Sequence, residues 1–311
     1  IQDIVSTRLE MHLGDAGESC FGRKVAEAVP QERPGRGVGA GGHQILVALP
    51  RADGDHDPDT LGQGVRTTLE RIAQAAPAGL GPRLRLLPER VTLEEVAALP
   101  GVDRRARGPQ APILLGVEES RLGPFMFHPR QESHLFLFGD AKAGKTTFLR
   151  SIAQEVVRTH SPKDAQIFVV DYRRSLLDQV PEEYLAAYMT NKDEAEENLG
   201  GLAEYLKTRM PNDKVTSKQL RDRSWWTGAE AWVLVDDYDL VALQGRNPVA
   251  VLQPLMAQAQ DVGLHVMVVR RMGGASRAAF EPVLQAMRDL GTTGILMSGS
   301  PDEGAIIGRI K

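Results

Sequence analysis

The chain has 311 residues, 42% hydrophobic and 25% charged, with a formal net charge of −4. At roughly 150 residues per domain this is two domains' worth of chain, with enough apolar content for a sizeable core, which excludes general disorder. The acidic balance argues against a strongly basic nucleic-acid face, no apolar run approaches the ~20 residues of a membrane helix, and the lone Cys20 excludes an internal disulfide framework and fits a reducing compartment.

The opening IQDIVSTRLEMHLGD has neither the basic start nor the apolar run of a signal peptide, and no initiator Met, so the chain is expected to be a fragment of something longer. Leu9, Met11 and Leu13 alternate with polar residues, the period of a strand ended by Gly14 and Asp15. A polar, Gly/Pro-rich stretch from Gln31 to Gly42 follows, then a buried strand, Gln44–Leu49. Within the stretch, Gly37–Gly42 spells G-x-G-x-x-G but precedes a strand rather than a helix, the reverse of a dinucleotide fingerprint, and reads as a flexible linker. Asp53, Asp55, Asp57 and Asp59 alternate along a loop. A calcium loop would need Gly and Glu where Pro58 and Gly64 stand, so an acidic solvated loop is expected. Thr60 can cap a helix to about Ala76, with Val65, Leu69, Ile72 and Ala73 on one face. Residues 1–75 are read as the end of a preceding module plus linker, and 76–311 as the main module. The connector from Pro77 to Arg107 contains one expected strand, Arg83–Leu87.

From Ser133 the pattern is regular. Strands are expected at His134–Phe138, Gln166–Asp171, Ala231–Asp236, Leu264–Val269 and Gly294–Met297. Helices are expected at about Gly144–Arg158, Lys192–Arg209, Pro248–Val262 and Phe280–Leu290. Uninterrupted apolar strands alternating with helices imply a parallel sheet covered on both faces. The fold class is therefore α/β, a parallel sheet flanked by helices and preceded by a partial module, and the motif between the first strand and helix makes it a P-loop NTPase sheet.

Gly139-Asp140-Ala141-Lys142-Ala143-Gly144-Lys145-Thr146 is G-x-x-x-x-G-K-T, directly after a strand and opening a helix. Glycines let backbone N–H groups turn in around phosphate oxygens, and the helix N-terminus adds partial positive charge. The expected nucleotide-binding set is 139–146 with Thr147. Lys145 would neutralise the β- and γ-phosphates of ATP, and Thr146 and Asp236 would hold Mg²⁺. Asp237 stands where a water-orienting base belongs, although a loop carboxylate capping nearby backbone reads equally well. Arg270 and Arg271, after strand LHVMVV, are candidates for a γ-phosphate sensor or an arginine finger in a neighbouring subunit; the alternative is a solvated basic pair. Trp225 and Trp226 are expected to cover a core edge, with a partner contact as the alternative. His128 and His134 have no metal-ligating partners at suitable spacing.

Together SHLFLFGDAKAGKTTFLRSIAQ, WVLVDDYD, GLHVMVVRR and TGILMSGSPDEGAIIG resemble the C-terminal ATPase module of EccC-type proteins, the FtsK/SpoIIIE-like motor ATPases of type VII (ESX) secretion. STRLEMHLGD, RKVAEAVP, PGRG and ALPR resemble the end of the preceding module. The resemblance implies a hexameric ring of such subunits at the inner face of the cell membrane, moving helical-hairpin substrates of the WXG type, with this module reading their C-terminal signal. It implies no membrane contact by this segment. Motor members of the wider family carry Glu where Asp237 stands. A carboxylate retracted by roughly an ångström can cost on the order of 10²-fold in rate. The module is thus expected to bind ATP more readily than it hydrolyses it. The main alternative is an FtsK-type DNA translocase, disfavoured by the net charge; a P-loop kinase is weaker still, since no segment looks like a substrate lid with clustered Arg.

Overall fold

A computed structural model describes residues 7–48, 50–76, 86–243 and 247–307. The chain divides into two compact units, residues 1–84 and 85–311. In the first, β1 (Glu10–Met11), β2 (Arg36–Val38) and β3 (Gln44–Leu46) form an antiparallel sheet in that order. Helix α1 (Arg23–Glu27) lies between β1 and β2 in sequence, and α2 (Leu61–Ala75) follows β3. The expected flexible linker is therefore partly a central strand. Gly37 faces Met11 and Ile45, and a Cβ there would lie 2.4 Å from the Glu10 carbonyl oxygen. Only glycine permits that approach.

Helix α2 matches the expected segment, but its start is organised differently. The Thr60 hydroxyl donates to Asp55 Oδ2 at 2.6 Å instead of capping the helix. Arg51 reaches Asp53 with Nε at 2.6 Å and Asp55 with Nη2 at 2.8 Å, so the alternating aspartates wrap around a guanidinium. That contact holds the Asp53 carboxyl down at about 2. Leu69 and Ile72, on the apolar face of α2, are exposed.

The second unit begins with α3 (Leu93–Ala97), started by a reciprocal cap between Thr92 and Glu95. A hairpin of β4 (Ile113–Val117) and β5 (Pro124–Phe127) follows. Neither was apparent in the sequence. Of the strand expected at Arg83–Leu87, residues 83–85 lie outside the described residues, and Leu86 and Leu87 are not in a strand. Then come β6 (His134–Gly139), α4 (Lys145–Thr159), β7 (Ala165–Val170), β8 (Leu185–Met189), α5 (Lys192–Lys207), α6 (Ser217–Asp222) and β9 (Glu230–Val235). The unit ends with α7 (Tyr238–Val241), α8 (Gln253–Met256), α9 (Ala259–Val262), β10 (Leu264–Arg271), α10 (Ala275–Ala278), α11 (Pro282–Asp289) and β11 (Thr293–Leu296).

Six strands form one parallel sheet in the order β11-β6-β10-β9-β7-β8. Alternate residues of each strand feed two cores. Leu135, Leu137, Val169, Leu234 and Met267 pack with Leu149, Ile152 and Val156 of α4 on one face. Phe136, Phe138, Val233, Val266 and Val268 pack with Leu199, Leu255 and Leu284 on the other. Burial on both faces is why these strands read as continuous apolar runs. The single helix expected over Pro248–Val262 is instead a 3₁₀ turn (Pro248–Leu252) followed by α8 and α9. Pro254 has no N–H for a continuous helical ladder. Among the described residues no helix is long and apolar enough to cross a membrane.

Candidate nucleotide-binding site

Strand β6 is hydrogen-bonded between β10 and β11, so the loop after it leaves from an interior strand at the carboxyl edge, where open parallel sheets bind ligands. The loop turns through Lys142 at φ +64° and Gly144 at φ +98°. The glycine occupies this left-handed position without a Cβ penalty, and α4 starts at the next residue. Lys145 is buried, and its Nζ donates to the Asp140 carbonyl at 2.6 Å, folding the side chain back over the loop. Asp140 N in turn donates to Ser298 Oγ at 3.1 Å.

Asp236 follows β9 and is buried. Its carboxylate accepts from the Thr146 hydroxyl at 2.7 Å and from the Asp237 amide at 2.9 Å. Burial pushes this carboxyl above its ordinary value, and the Thr146 hydrogen bond offsets part of the effect. Two residues far apart in sequence thus bring hard oxygen donors together beside the loop lysine.

Asp237 adopts φ +43°, ψ +52°, at the start of α7. Its Oδ2 lies 3.0 Å from Arg173 Nε in an ion pair. Arg173 and Ser175, both missed in the sequence, belong to the turn after β7. Buried Asp171 fixes that turn, accepting from the amides of Arg173 at 3.1 Å and Leu176 at 2.7 Å and from the Tyr188 hydroxyl at 2.6 Å. The signal was available: DYRRS directly follows an apolar strand, the criterion that singled out Asp236, Asp237, Arg270 and Arg271.

A cavity of about 560 Å³ opens over the loop. Ala141, Lys142, Gly144, Lys145, Thr146 and Thr147 line it, and Arg173, Ser175, Asp237 and Arg271 close it from the other strands. Gly139, Asp140 and Ala143 shape the loop without lining the cavity. The two candidate arginines separate. They are the last residues of β10 rather than the first beyond it, and successive strand side chains point to opposite faces. Arg271 faces the cavity, with Nε 3.5 Å from Asp239 Oδ2. Arg270 lies on the other face, 5.9 Å from the Phe138 ring centroid, where burial lowers its pKa. It is not in the cavity.

Trp225 and Trp226 sit at the opposite edge of the sheet. Their ring N–H groups donate to the Arg209 and Asp261 carbonyls at 2.6 and 2.7 Å, and the buried Arg209 guanidinium stacks 4.0 Å from the Trp226 ring. The pair is thus anchored on buried Arg209 and on neighbouring backbone. His134 is buried, accepts from Val266 N on Nδ1 at 3.1 Å, and is pushed down to about 4 by burial. Among the described residues no group of three His, Cys, Asp or Glu is placed to hold a metal ion.

A family model described as FtsK/SpoIIIE matches residues 96–286, well over half of the chain. The chain belongs to the FtsK/SpoIIIE family. Over its whole length this FtsK/SpoIIIE chain is 39% identical to the ESX secretion system protein EccC of Thermomonospora curvata. It is 40% identical to the ESX-4 secretion system protein EccC4 of Mycobacterium tuberculosis. It spans 23% and 24% of the length of those two relatives. A solved structure of T. curvata EccC (ATPases 2 and 3) in complex with a signal sequence peptide superposes with a TM-score of 0.82 at 37% identity, covering 100% of this chain and 55% of that one. The parallel sheet and its loop are the P-loop fold of nucleotide-binding ATPases in this family.

Proposed function

We propose that this chain is an ATP-binding module of a type VII secretion motor, which reads a signal on WXG-type substrates and turns ATP over slowly. The observation that carries the reading is the Thr146–Asp236 contact at 2.7 Å, with Thr146 and Lys145 both lining a 560 Å³ cavity. A hydroxyl and a carboxylate with room for phosphate oxygens and water are the hard-oxygen set Mg²⁺ takes. Thr146 and Asp236 would hold the ion, which would neutralise charge developing on the phosphates. Lys145, released from the Asp140 carbonyl, would bind the β- and γ-phosphates. Arg271 would face the γ-phosphate or a neighbouring subunit's nucleotide. Asp237 is the residue left to orient water, and both its short side chain and its pairing with Arg173 support slow turnover.

The solved T. curvata relative was captured with a signal sequence peptide, which supports substrate reading as the role. A net charge of −4 weighs against a DNA track. In this reading residues 1–75 are the end of a preceding ATPase module, and the complete protein assembles as a hexameric ring at the inner face of the membrane. Lys145→Ala tests the core of the proposal: ATP·Mg²⁺ affinity measured by calorimetry is expected to fall ~10²-fold, as for loss of a strong charge-assisted contact. Unchanged affinity would remove the nucleotide assignment, and salt-dependent binding of duplex DNA by the wild type would favour a translocase.

A further inference from the structure

We infer that Arg173 is a switch between Asp237 and the terminal phosphate of the bound nucleotide, so that the γ-phosphate frees Asp237 to orient water and ADP does not. The inference deepens the ATP-binding reading and rests on it.

The placement follows from the sheet. β7 pairs with β9, with Val170 opposite Val235, so the turn after β7 starts level with Asp236 and Asp237. The backbone of that turn is held by hydrogen bonds. The buried Asp171 carboxylate takes three hydrogen bonds, two from turn amides and one from Tyr188, and Arg174 closes the turn at φ +59°. The Arg173 side chain is by contrast half-exposed and held by one Nε–Oδ2 contact of 3.0 Å. An exposed, single-contact ion pair contributes little. Arg173 shares its cavity with Lys145, Thr146 and Thr147, the residues arranged for phosphate. A terminal phosphate carries more charge than a carboxylate and accepts from a guanidinium through two parallel N–H groups. It should therefore outcompete Asp237 for Arg173. A β-phosphate held deeper in the loop offers no such group, so the Arg173–Asp237 pair persists with ADP.

The coupling is reciprocal. If Asp237 and the γ-phosphate compete for one guanidinium, neutralising Asp237 must tighten ATP binding by as much as Asp237 had weakened it, and only while Arg173 is present. A purely structural role for the pair would affect both nucleotides alike.

The experiment is calorimetric titration of the 311-residue chain with ADP and with the β,γ-imido analogue of ATP, both with Mg²⁺. Wild type, Arg173→Ala, Arg173→Lys, Asp237→Asn and the Arg173→Ala/Asp237→Asn double variant are compared, with thermal melts as the folding control. Asn is chosen because it tolerates the left-handed backbone at this position. Arg173→Ala is expected to lose about tenfold or more in affinity for the ATP analogue, the range for a charged hydrogen bond, while ADP moves less than about twofold. Arg173→Lys should restore part of that preference. Asp237→Asn should tighten the analogue several-fold where Arg173 is present. In the double variant the same change should leave affinity where Arg173→Ala alone had set it. An Arg173→Ala chain that weakens both nucleotides equally, or neither, overturns the switch, as does an Asp237→Asn effect that persists without Arg173. Lys145→Ala in the same series separates the two failures. If wild type binds both nucleotides and Lys145→Ala neither, an unchanged ATP/ADP ratio in Arg173→Ala sinks the switch alone. If wild type binds neither nucleotide, or Lys145→Ala binds as wild type, both readings fall.

Discussion

Asp236→Asn should stabilise the protein while removing its Mg²⁺ dependence. The carboxyl is buried, and burial together with the nearby Asp237 and Asp171 charges raises its pKa, against the opposing pull of the Thr146 hydrogen bond. The fold therefore prefers the neutral side chain. Asparagine can keep both existing contacts: Oδ1 still accepts the Asp237 amide (2.9 Å), and Nδ2 donates to a rotated Thr146 hydroxyl (2.7 Å). What is lost is the charge-assisted part of two hydrogen bonds. What is removed is the cost of an ionised group out of water among like charges. The raised pKa says that the second term is larger. A gain of about 1 kcal/mol is typical when a functional site is relieved in this way, equivalent to about 2–4 °C in the melting midpoint of a unit this size.

The sign with pH follows from linkage. An acid whose folded pKa is raised lets the unfolded chain release its proton first, so this contribution to stability falls as pH rises above the ordinary carboxylate value. The gap between Asp236→Asn and wild type should open as pH rises from about 4, the ordinary carboxylate value, towards neutrality. Melts across that range, with ATP titrations in Mg²⁺ and in EDTA, check both halves. ATP affinity of Asp236→Asn should be the same with and without Mg²⁺. A variant less stable than wild type at pH 7, or a gap independent of pH, would refute the reasoning.

Asp237→Glu should raise single-turnover ATP hydrolysis, because the longer side chain reaches further. It should also lower stability by about 1–2 kcal/mol, because Glu fits φ +43° less readily than Asp; quenched-flow kinetics and melts measure the two effects. Arg209→Ala should cost about 3 kcal/mol in urea unfolding, since it empties a buried site and strips the Val262 and Ala229 carbonyls of donors at 2.9 and 2.8 Å. Nucleotide affinity should not change, because Arg209 is at the other edge of the sheet. His134, held neutral with a pKa pushed from 6.5 to about 4, contributes stability at pH above 6.5 that is lost as pH falls towards 4; Asn or Gln at this position should flatten that part of the acid-stability profile.

The parts of the fold legible in the sequence were those where one physical rule dominated. HLFLF before Gly139 and WVLV before Asp236 have no polar alternation because both faces of β6 and β9 are covered. That placed the ends of both strands, and so the positions of the loop after Gly139 and of Asp236. Where two rules compete, pattern was not enough. Gly37 looked like linker because glycine is common there, but a carbonyl at contact distance is an equally good reason for it. Residues 248–262 have helical content, and Pro254 divides it. Strand β8 is a short edge strand, and β4–β5 shifts register between Leu114 and Gly116, so neither has a clean period. Arg270 and Arg271 could have been separated in advance, since strand periodicity alone sends one to the cavity and the other away. Arg173 was within reach of the same rule that found Asp236, but its pairing with Asp237 needed the strand order, which brings the end of β7 beside the end of β9 and is not written in either segment.

The same strand order gathers charge at this edge. β7 and β9 end side by side in Asp171, Asp236 and Asp237, and the first two are buried. Three carboxylates at neighbouring strand ends repel one another. Each has a separate counterweight: turn amides and Tyr188 on Asp171, Thr146 and a backbone amide on Asp236, Arg173 on Asp237. Only the last is a cation, and it is the most weakly held. A divalent ion beside Asp236 and a phosphate beside Arg173 would therefore act on the two ends of one charge network. Binding at either end changes how strongly the other is held. On the proposed ATP-binding reading, charge repulsion at the carboxyl edge is what lets it sense nucleotide, and a more stable edge, as in Asp236→Asn, is expected to be a deaf one.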